Sequence, residues 1–522
     1  MDLPAQFLPL VALYPEIHYR FRFLPFSRYF RRQPEIIADA PWRLEPGQAL
    51  PLLLLIKDAH RFPIALESVD LEARCPARTI SRRLELNETI AQPWWHLREW
   101  LNLPEVTPTT WEIDVTWNMR IGKRKYRLRN DNLPGLSHAP LSVVQSGYPW
   151  PRQEGWLFGD LHAHTAYTED QVEFGAPLSV YPDMGLAQGL SFAFAADHSY
   201  DLDDLPGSWS RSDPFLQRFQ QRSAEISRLN EQYQGRFALL PGFELSAANA
   251  RGKNVHLLLV GEQNFLAGSG DSAERWLFTK SELTLHEAIS ALGAATLPIA
   301  AHPMVQPPRL ERLLLGRGCW ENADVEAVDL FALQIWNGET SEDFFAGINR
   351  WVKGLLAGRR WKIVAGSDAH GNFNRYRQVG FPMLRLAETD RHVFGKMRTG
   401  VFLPQGLDRE RLIAGLKSSR SLITDGPFAD LRTMNTSPEG LSLCAEARSS
   451  PEFGALDEVT IYWGKTGETD ERILRREKIK GDYEWEARLP IPAQEGYLRL
   501  EITTAGDHRC LTNPIYLSDP PP

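Results

Sequence analysis

Gly159-Asp160-Leu161-His162-Ala163-His164-Thr165 ends an apolar run that begins at Trp156. An apolar run of this length, broken by polar residues, reads as a buried β-strand. His162 and His164 are separated by one residue. On a strand, residues i and i+2 point to the same face, so both imidazoles can reach one cation. The same grammar recurs downstream: Ala196-Asp197-His198, Pro241-Gly242-Phe243-Glu244, Asn254-Val255-His256, Ala300-Ala301-His302-Pro303 and Gly366-Ser367-Asp368-Ala369-His370. Each patch adjoins an apolar run. Imidazole and carboxylate are the side chains that hold catalytic first-row metals. A series of ligands at strand ends is how a β/α barrel builds an active site, which points to a metal-dependent hydrolase.

Working outward, the sequence predicts strands at 156–161, 191–197, 237–243, 255–260, 297–301, 331–336 and 361–366. Amphipathic stretches at 215–233, 284–293 and 340–357 lie between them. Strand–helix alternation predicts parallel pairing through crossover helices. The expectation is a (β/α)7 barrel over 151–400, flanked by two β-rich, sandwich-like modules. The N-terminal module covers 1–150. There Leu50-Pro51-Leu52-Leu53-Leu54-Leu55-Ile56 reads as a buried strand, and Thr110 to Trp117 alternates with period two. Trp94, Trp95 and Trp100 read as sandwich packing, with a binding surface as the other possibility. The basic run Gly122 to Arg129 reads as a charged edge strand. The C-terminal segment, 401–522, predicts a helix from Asp408 to Lys417, a strand at Ser421-Leu422-Ile423-Thr424, and strands at 457–463, 484–489 and 496–503.

Composition limits the partners. The chain has 522 residues, 58 Lys plus Arg and 66 Asp plus Glu, for a net charge of −8. That balance argues against nucleic-acid or anionic-membrane binding, which needs a basic surface. No apolar stretch reaches the roughly 18–20 residues of a membrane span. Met1-Asp2-Leu3-Pro4 has no basic segment ahead of an apolar one, so no secretory signal is expected. Cys75, Cys319, Cys444 and Cys510 are far apart and form no CxxC pair, which predicts reduced thiols in a cytoplasmic protein. The expected partner is a small-molecule substrate. Gly464-Lys465-Thr466-Gly467 lacks the glycine spacing of a P-loop, and no G-x-S-x-G elbow is present.

The order HxH, an aspartate (Asp170) six residues on, DH, Glu, HLL, AHP and SDAH resembles the PHP (polymerase and histidinol phosphatase) superfamily. The resemblance covers about residues 156–372. Ser421 to Pro427 and Leu511 to Leu517 extend it toward the carbaryl-hydrolase-like branch. It implies two to three divalent transition metals, with Zn, Mn or Fe left open. One position would use His162, His164, Glu244 and Asp368. A second would use Glu244, His256 and His302, with Glu244 bridging. A third would use Asp170, His198 and His370. Glu244 and Asp368 would serve catalysis through a metal-bound hydroxide.

The resemblance implies a phosphoesterase acting on monoesters or diesters. A carboxylic ester, carbamate or amide hydrolase on the same site is the alternative, and a metal-stabilised scaffold without activity is an alternative of another class. The amidohydrolase pattern fits less well, because there the last metal strand supplies a lone aspartate and a lysine often bridges. Arg375, Arg377 and Lys253 are candidates for a substrate anion. Asn337 ends a strand without a ligand, and reads either as orienting substrate or water or as a loop cap.

Overall fold

The computed structural model describes residues 33–104, 108–133, 136–168, 175–205, 211–268, 280–307, 312, 316–380, 385–436, 440–491 and 495–517. The seven predicted strands form within a few residues of their expected places, the third divided in two. They are Trp156–His164, Phe192–Ala195, Ala238–Leu240, Gly242–Ala248, Asn254–Val260, Leu297–Ala300, Ala332–Asn337 and Lys362–Gly366. Three amphipathic stretches are helices: Gln217–Gln232, Leu285–Ser290 and Glu342–Leu356.

The architecture differs from the expected (β/α)7 barrel. Strand dominates over helix, and the ligand strands divide between two sheets. Among the described residues, one sheet runs Ala238–Leu240, Phe192–Ala195, Trp156–His164, Arg398–Phe402, Ser421–Thr424, Arg509–Thr512, Tyr497–Thr504, Leu456–Gly464 and Arg472–Lys478. It passes without a break from the strands that carry His162 and His198 into the C-terminal segment. The other runs Gly242–Ala248, Asn254–Val260, Leu297–Ala300, Ala332–Asn337, Lys362–Gly366.

Two physical facts explain the departure. The first is connection length. The Glu244 strand extends to Ala248, which leaves only 249–253 before the next strand. A parallel crossover needs about a dozen residues, so the pair forms an antiparallel hairpin, and the next pairing, of the His256 strand with Leu297–Ala300, is antiparallel too. The second is the outer edge of Lys362–Gly366. There side chains replace a backbone ladder. Thr399 Oγ1 accepts from Ala365 N–H at 2.9 Å and donates to Ala365 O at 2.9 Å. Asn513 Oδ1 accepts from Ile363 N–H at 2.7 Å, and its Nδ2 donates to Ile363 O at 3.0 Å. The two sheets are therefore stitched by a hydroxyl and an amide. Gly366 permits the close approach that follows, since a Cβ there would lie 2.6 Å from His162 N.

The N-terminal region is a sandwich. Glu35–Asp39, Leu50–Lys57 and Trp94–Leu101 form one sheet, which faces a sheet built around Ile64–Cys75 and Thr109–Ile121. Leu50–Lys57 is buried along its whole length because it has two cores to serve. Leu50, Leu52, Leu54 and Ile56 face the sandwich interior, whereas Leu53 and Leu55 join the core of the central region. Trp94 packs on that shared core, and Trp100 is 43% exposed. Arg124–Arg129 is the charged edge strand expected from its sequence, paired along Thr109–Ile121.

In the C-terminal region, Phe428–Thr436, Gly440–Arg448 and Glu484–Pro490 form a further sheet. Their buried side chains share one core with Leu456–Gly464 and Tyr497–Thr504. Arg43 on the N-terminal side meets Glu452 on the C-terminal side at 2.7 Å. No helix among the described residues is long and apolar enough to cross a membrane.

The stitch generates a test. Asn513→Ala leaves the buried Ile363 N–H and C=O unpaired, at a cost of about 1–3 kcal/mol for each group. Urea unfolding is expected to show a loss of that order. A change below about 0.5 kcal/mol, as at an ordinary surface site, would show that the amide does not join the sheets.

Candidate metal centre

The candidate ligands lie within strands or just beyond their ends. His162 and His164 close the Trp156–His164 strand, both fully buried. His198 follows Phe192–Ala195 and is the N-cap of the short helix Ser199–Leu202. Glu244 and His256 lie on paired strands, with Glu244 opposite Leu258 and His256 opposite Ser246. That makes them diagonal neighbours on one face, within reach of long side chains. His302 and Asp368 lie just beyond Leu297–Ala300 and Lys362–Gly366. Both have left-handed backbone, φ 31° and 55°. Such strain persists only where the surroundings hold it. Asp368 is held by its N–H donating to His162 O at 2.7 Å.

The side chains converge on Glu244, which is 1% exposed. Its two oxygens face different imidazoles. Oε2 lies 3.3 Å from His162 Nε2, 3.2 Å from His164 Nε2 and 3.3 Å from His198 Nδ1. Oε1 lies 2.7 Å from His256 Nδ1 and 3.5 Å from His302 Nε2. Asp368 Oδ1 is 3.2 Å from both His162 Nε2 and His164 Nε2. His164 and His370 stack with ring centres 4.0 Å apart.

These separations fit metal coordination. Ligands at roughly 2.0–2.1 Å from a tetrahedral ion lie about 3.4 Å from one another. His162 Nε2 and His164 Nε2 are 3.1 Å apart. Among the described residues, three groups of candidate ligands close to within 4.8 Å: His162, His164 and Asp368; His162, Glu244 and His302; His164, His198 and His370. Glu244 Oε1 is buried and takes no hydrogen bond of good geometry, despite its short approach to His256. Hard and borderline donors in this mixture suit Zn, Mn or Fe.

The electrostatics call for positive charge. Burial alone would raise the Glu244 carboxyl, but His256, His162 and His164 outweigh it and hold it well below the ordinary range. Burial likewise pushes Asp368 up, and His162 and His164 hold it well down. Burial works to lower His162, yet Asp368 and Glu244 carry it up to about 9.

Behind the ligands, a second set of groups orients them. His162 Nδ1 pairs with Gln334 Oε1 at 2.8 Å, and His164 Nδ1 with Thr168 Oγ1 at 3.2 Å. Asp160 accepts from Ser367 Oγ at 2.5 Å and from the N–H groups of His162, Ser367 and Gly395. It thus ties the His162 strand to the Asp368 loop. Asp197 accepts from Thr165 N–H at 2.6 Å and from Arg222 Nε at 2.5 Å, with the Arg222 guanidinium also donating to Ala195 O.

Of the nine expected ligands, His162, His164, His198, Glu244, His256, His302, Asp368 and His370 come together. Asp170 lies outside the described residues. The grouping differs in detail from the expected three sets, since His164 joins His198 and His370, and His162 joins Glu244 and His302. Arg377 is buried against Asp39, 3.5 Å away, and Arg375 is engaged by Pro140 O and Glu388. Lys253 is exposed on the hairpin turn. Asn337 donates to Asp368 Oδ2 at 3.1 Å. The sequence reading missed Gln334, Thr168, Asp160 and Arg222. The available signal for Asp160 and Gln334 was a polar residue inside an apolar run. His60, His96, His138 and His508 take no part in the ligand groups, and His18 lies outside the described residues.

No family model and no curated protein matches the chain. Among solved structures, similarity is found to a β-D-mannosidase from Dictyoglomus thermophilum, at 7% identity and a TM-score of 0.21, over 92% of this chain and 66% of that one. A Parabacteroides merdae β-glucuronidase shows 9% identity and a TM-score of 0.16, over 93% and 77%. The chain thus spans just under two thirds of the length of the mannosidase. At these scores neither likeness carries an argument about this centre.

The Asp197–Arg222 pair is testable. Arg222→Ala leaves a fully buried carboxylate without its cation, which costs about 3–5 kcal/mol. Burial raises the Asp197 carboxyl, but Arg222 and the Thr165 N–H bring it below its ordinary value. Its stabilisation is therefore present above about pH 3.9 and is lost as pH falls through the lowered value. Without Arg222 the folded-state value rises, so acid unfolding moves to higher pH. An acid limb that does not move in a circular-dichroism titration of the variant would contradict this.

Proposed function

We propose that the protein is a metal-dependent hydrolase of the PHP type, with a phosphoester as the substrate class. The observation that carries the reading is Glu244, whose two oxygens are turned to two different sets of imidazoles. A carboxylate so placed is built to bridge two cations, and its charge offsets their repulsion. His162, His164 and Asp368 would hold one ion together with Glu244 Oε2. His256 and His302 would hold a second through Oε1, and His198 with His370 supplies donors for a third.

Bound divalent metals supply Lewis acidity and a water acidic enough to attack near neutral pH. The protein's own part is to keep the donor atoms bare and aimed. Gln334 takes the proton-bearing Nδ1 of His162, which leaves Nε2 directed at Glu244 and Asp368. Thr168 does the same for His164. With two carboxylates facing two or three dications, the centre would keep net positive charge, which would favour a substrate that develops negative charge on oxygen. Arg375 and Arg377 are committed to protein partners, so an anionic group would be met by the centre itself.

Two results are expected. Purified protein carries two to three equivalents of transition metal per chain by elemental analysis. It turns over a generic phosphomonoester or phosphodiester, and Glu244→Gln lowers kcat by more than about a hundredfold, beyond the 10–100-fold typical of groups that only support ligands. Absence of metal together with no activation by Mn or Zn would overturn the proposal. Metal without turnover on a panel of phosphoesters, carboxylic esters, carbamates and amides would leave a scaffold. Turnover confined to the last three would move the substrate class and keep the centre.

A further inference from the structure

Ala332–Asn337 is the strand of its sheet that supplies no ligand, yet it carries two polar side chains toward the centre. A regular strand would send residues three apart to opposite faces. Here the pairing with Lys362–Gly366 slips between Gln334 and Trp336, an irregularity of the bulge kind. Gln334 and Asn337 therefore reach one another, with Gln334 Nε2 donating to Asn337 Oδ1 at 2.9 Å.

We infer that Gln334 and Asn337 form an amide relay that positions His162 and Asp368 as one unit toward a shared metal, an inference that rests on the metal reading above. The direction of every bond in the relay is determined. Gln334 Oε1 accepts from the His302 backbone N–H at 3.3 Å, and a backbone N–H cannot donate to an amide NH2. The same oxygen accepts from His162 Nδ1 at 2.8 Å, so the proton sits on Nδ1 and Nε2 faces the centre. Gln334 Nε2 must then donate, Asn337 Oδ1 must accept, and Asn337 Nδ2 donates to Asp368 Oδ2 at 3.1 Å. With Oδ2 occupied, Asp368 Oδ1 is the oxygen turned to His162 Nε2, 3.2 Å away. The relay begins on one ligand and ends on another, and His302 is attached to it through its backbone.

The chemistry of the relay matters. Metal-bound imidazoles are commonly backed by a carboxylate or a carbonyl oxygen. A neutral amide fixes the tautomer without adding negative charge. Gln334 and Asn337 are therefore positioning residues, and the metal affinity they confer depends on both together.

The test is a double-mutant cycle on metal affinity, read by chelator competition with Zn on full-length protein stripped and reloaded. Gln334→Leu and Asn337→Ala are each expected to weaken binding roughly 10–100-fold. The double variant is expected to be no weaker than the worse single variant, because each change breaks the same chain. Gln334→Glu keeps the acceptor for His162 and His302 but cannot donate to Asn337, so its loss is expected to match that of Asn337→Ala. This pair carries the test if Gln334→Leu does not fold. Losses that multiply, or affinities equal to wild type, overturn the relay while leaving the metal reading in place. Wild-type protein that takes up no Zn overturns both. The absorption spectrum of the Co-loaded protein gives a readout independent of activity: a shifted ligand field in both single variants is expected, and an unchanged one contradicts the relay.

Discussion

A carboxylate buried to 1% exposure is the constraint on which the rest depends. Removing Glu244 from water costs several kcal/mol unless positive charge or hydrogen bonds compensate. The fold answers with imidazoles from five directions: His162, His164, His198, His256 and His302. Imidazole is neutral for most of the physiological range, so rings alone do not supply the charge. On the proposed reading, a divalent cation held among the same atoms would supply it. The arrangement makes sense as a cage whose contents are cationic.

Such a cage needs rigid walls, and the two sheets provide them. Asp160 joins the His162 strand to Ser367 and Gly395, and Asp197 joins the Thr165 loop to Arg222 on the Gln217–Gln232 helix. The flanking modules take part in this support. Asn513, near the C-terminal end of the chain, satisfies the backbone of the strand that leads to Asp368. Leu50–Lys57 from the N-terminal sandwich places Leu53 and Leu55 in the same core as Phe158 and Ala163 on the His162 strand. The centre is thus braced by all three parts of the chain, although every ligand gathered in it comes from the middle one.

Much of the centre was legible because strand geometry is local. The i, i+2 spacing of His162 and His164 fixes their common face whatever the topology, and apolar runs such as Phe192 to Ala195 mark their own burial. The grouping of the ligands rested on the family resemblance, and spacing alone gave no route to it. Sheet topology was not legible, because it depends on where strands end. Extension of the Glu244 strand to Ala248 converted an expected crossover into a hairpin. The stitching by Thr399 and Asn513 pairs residues far apart in sequence, and nothing in either residue's neighbourhood announces it. Gln334 was hidden for a related reason. Its role depends on a slip in register at Trp336, and register is set by the partner strand.

Anomalous X-ray diffraction from crystals of the purified protein, collected across the Zn, Fe and Mn absorption edges, tests the central claim most directly. The account predicts strong anomalous peaks on either side of the Glu244 carboxylate. One would lie among His162, His164 and Asp368, and the other beside His256 and His302. A carboxylate surrounded only by protonated imidazoles and water, with no anomalous peak at any edge from metal-supplemented crystals, would contradict it.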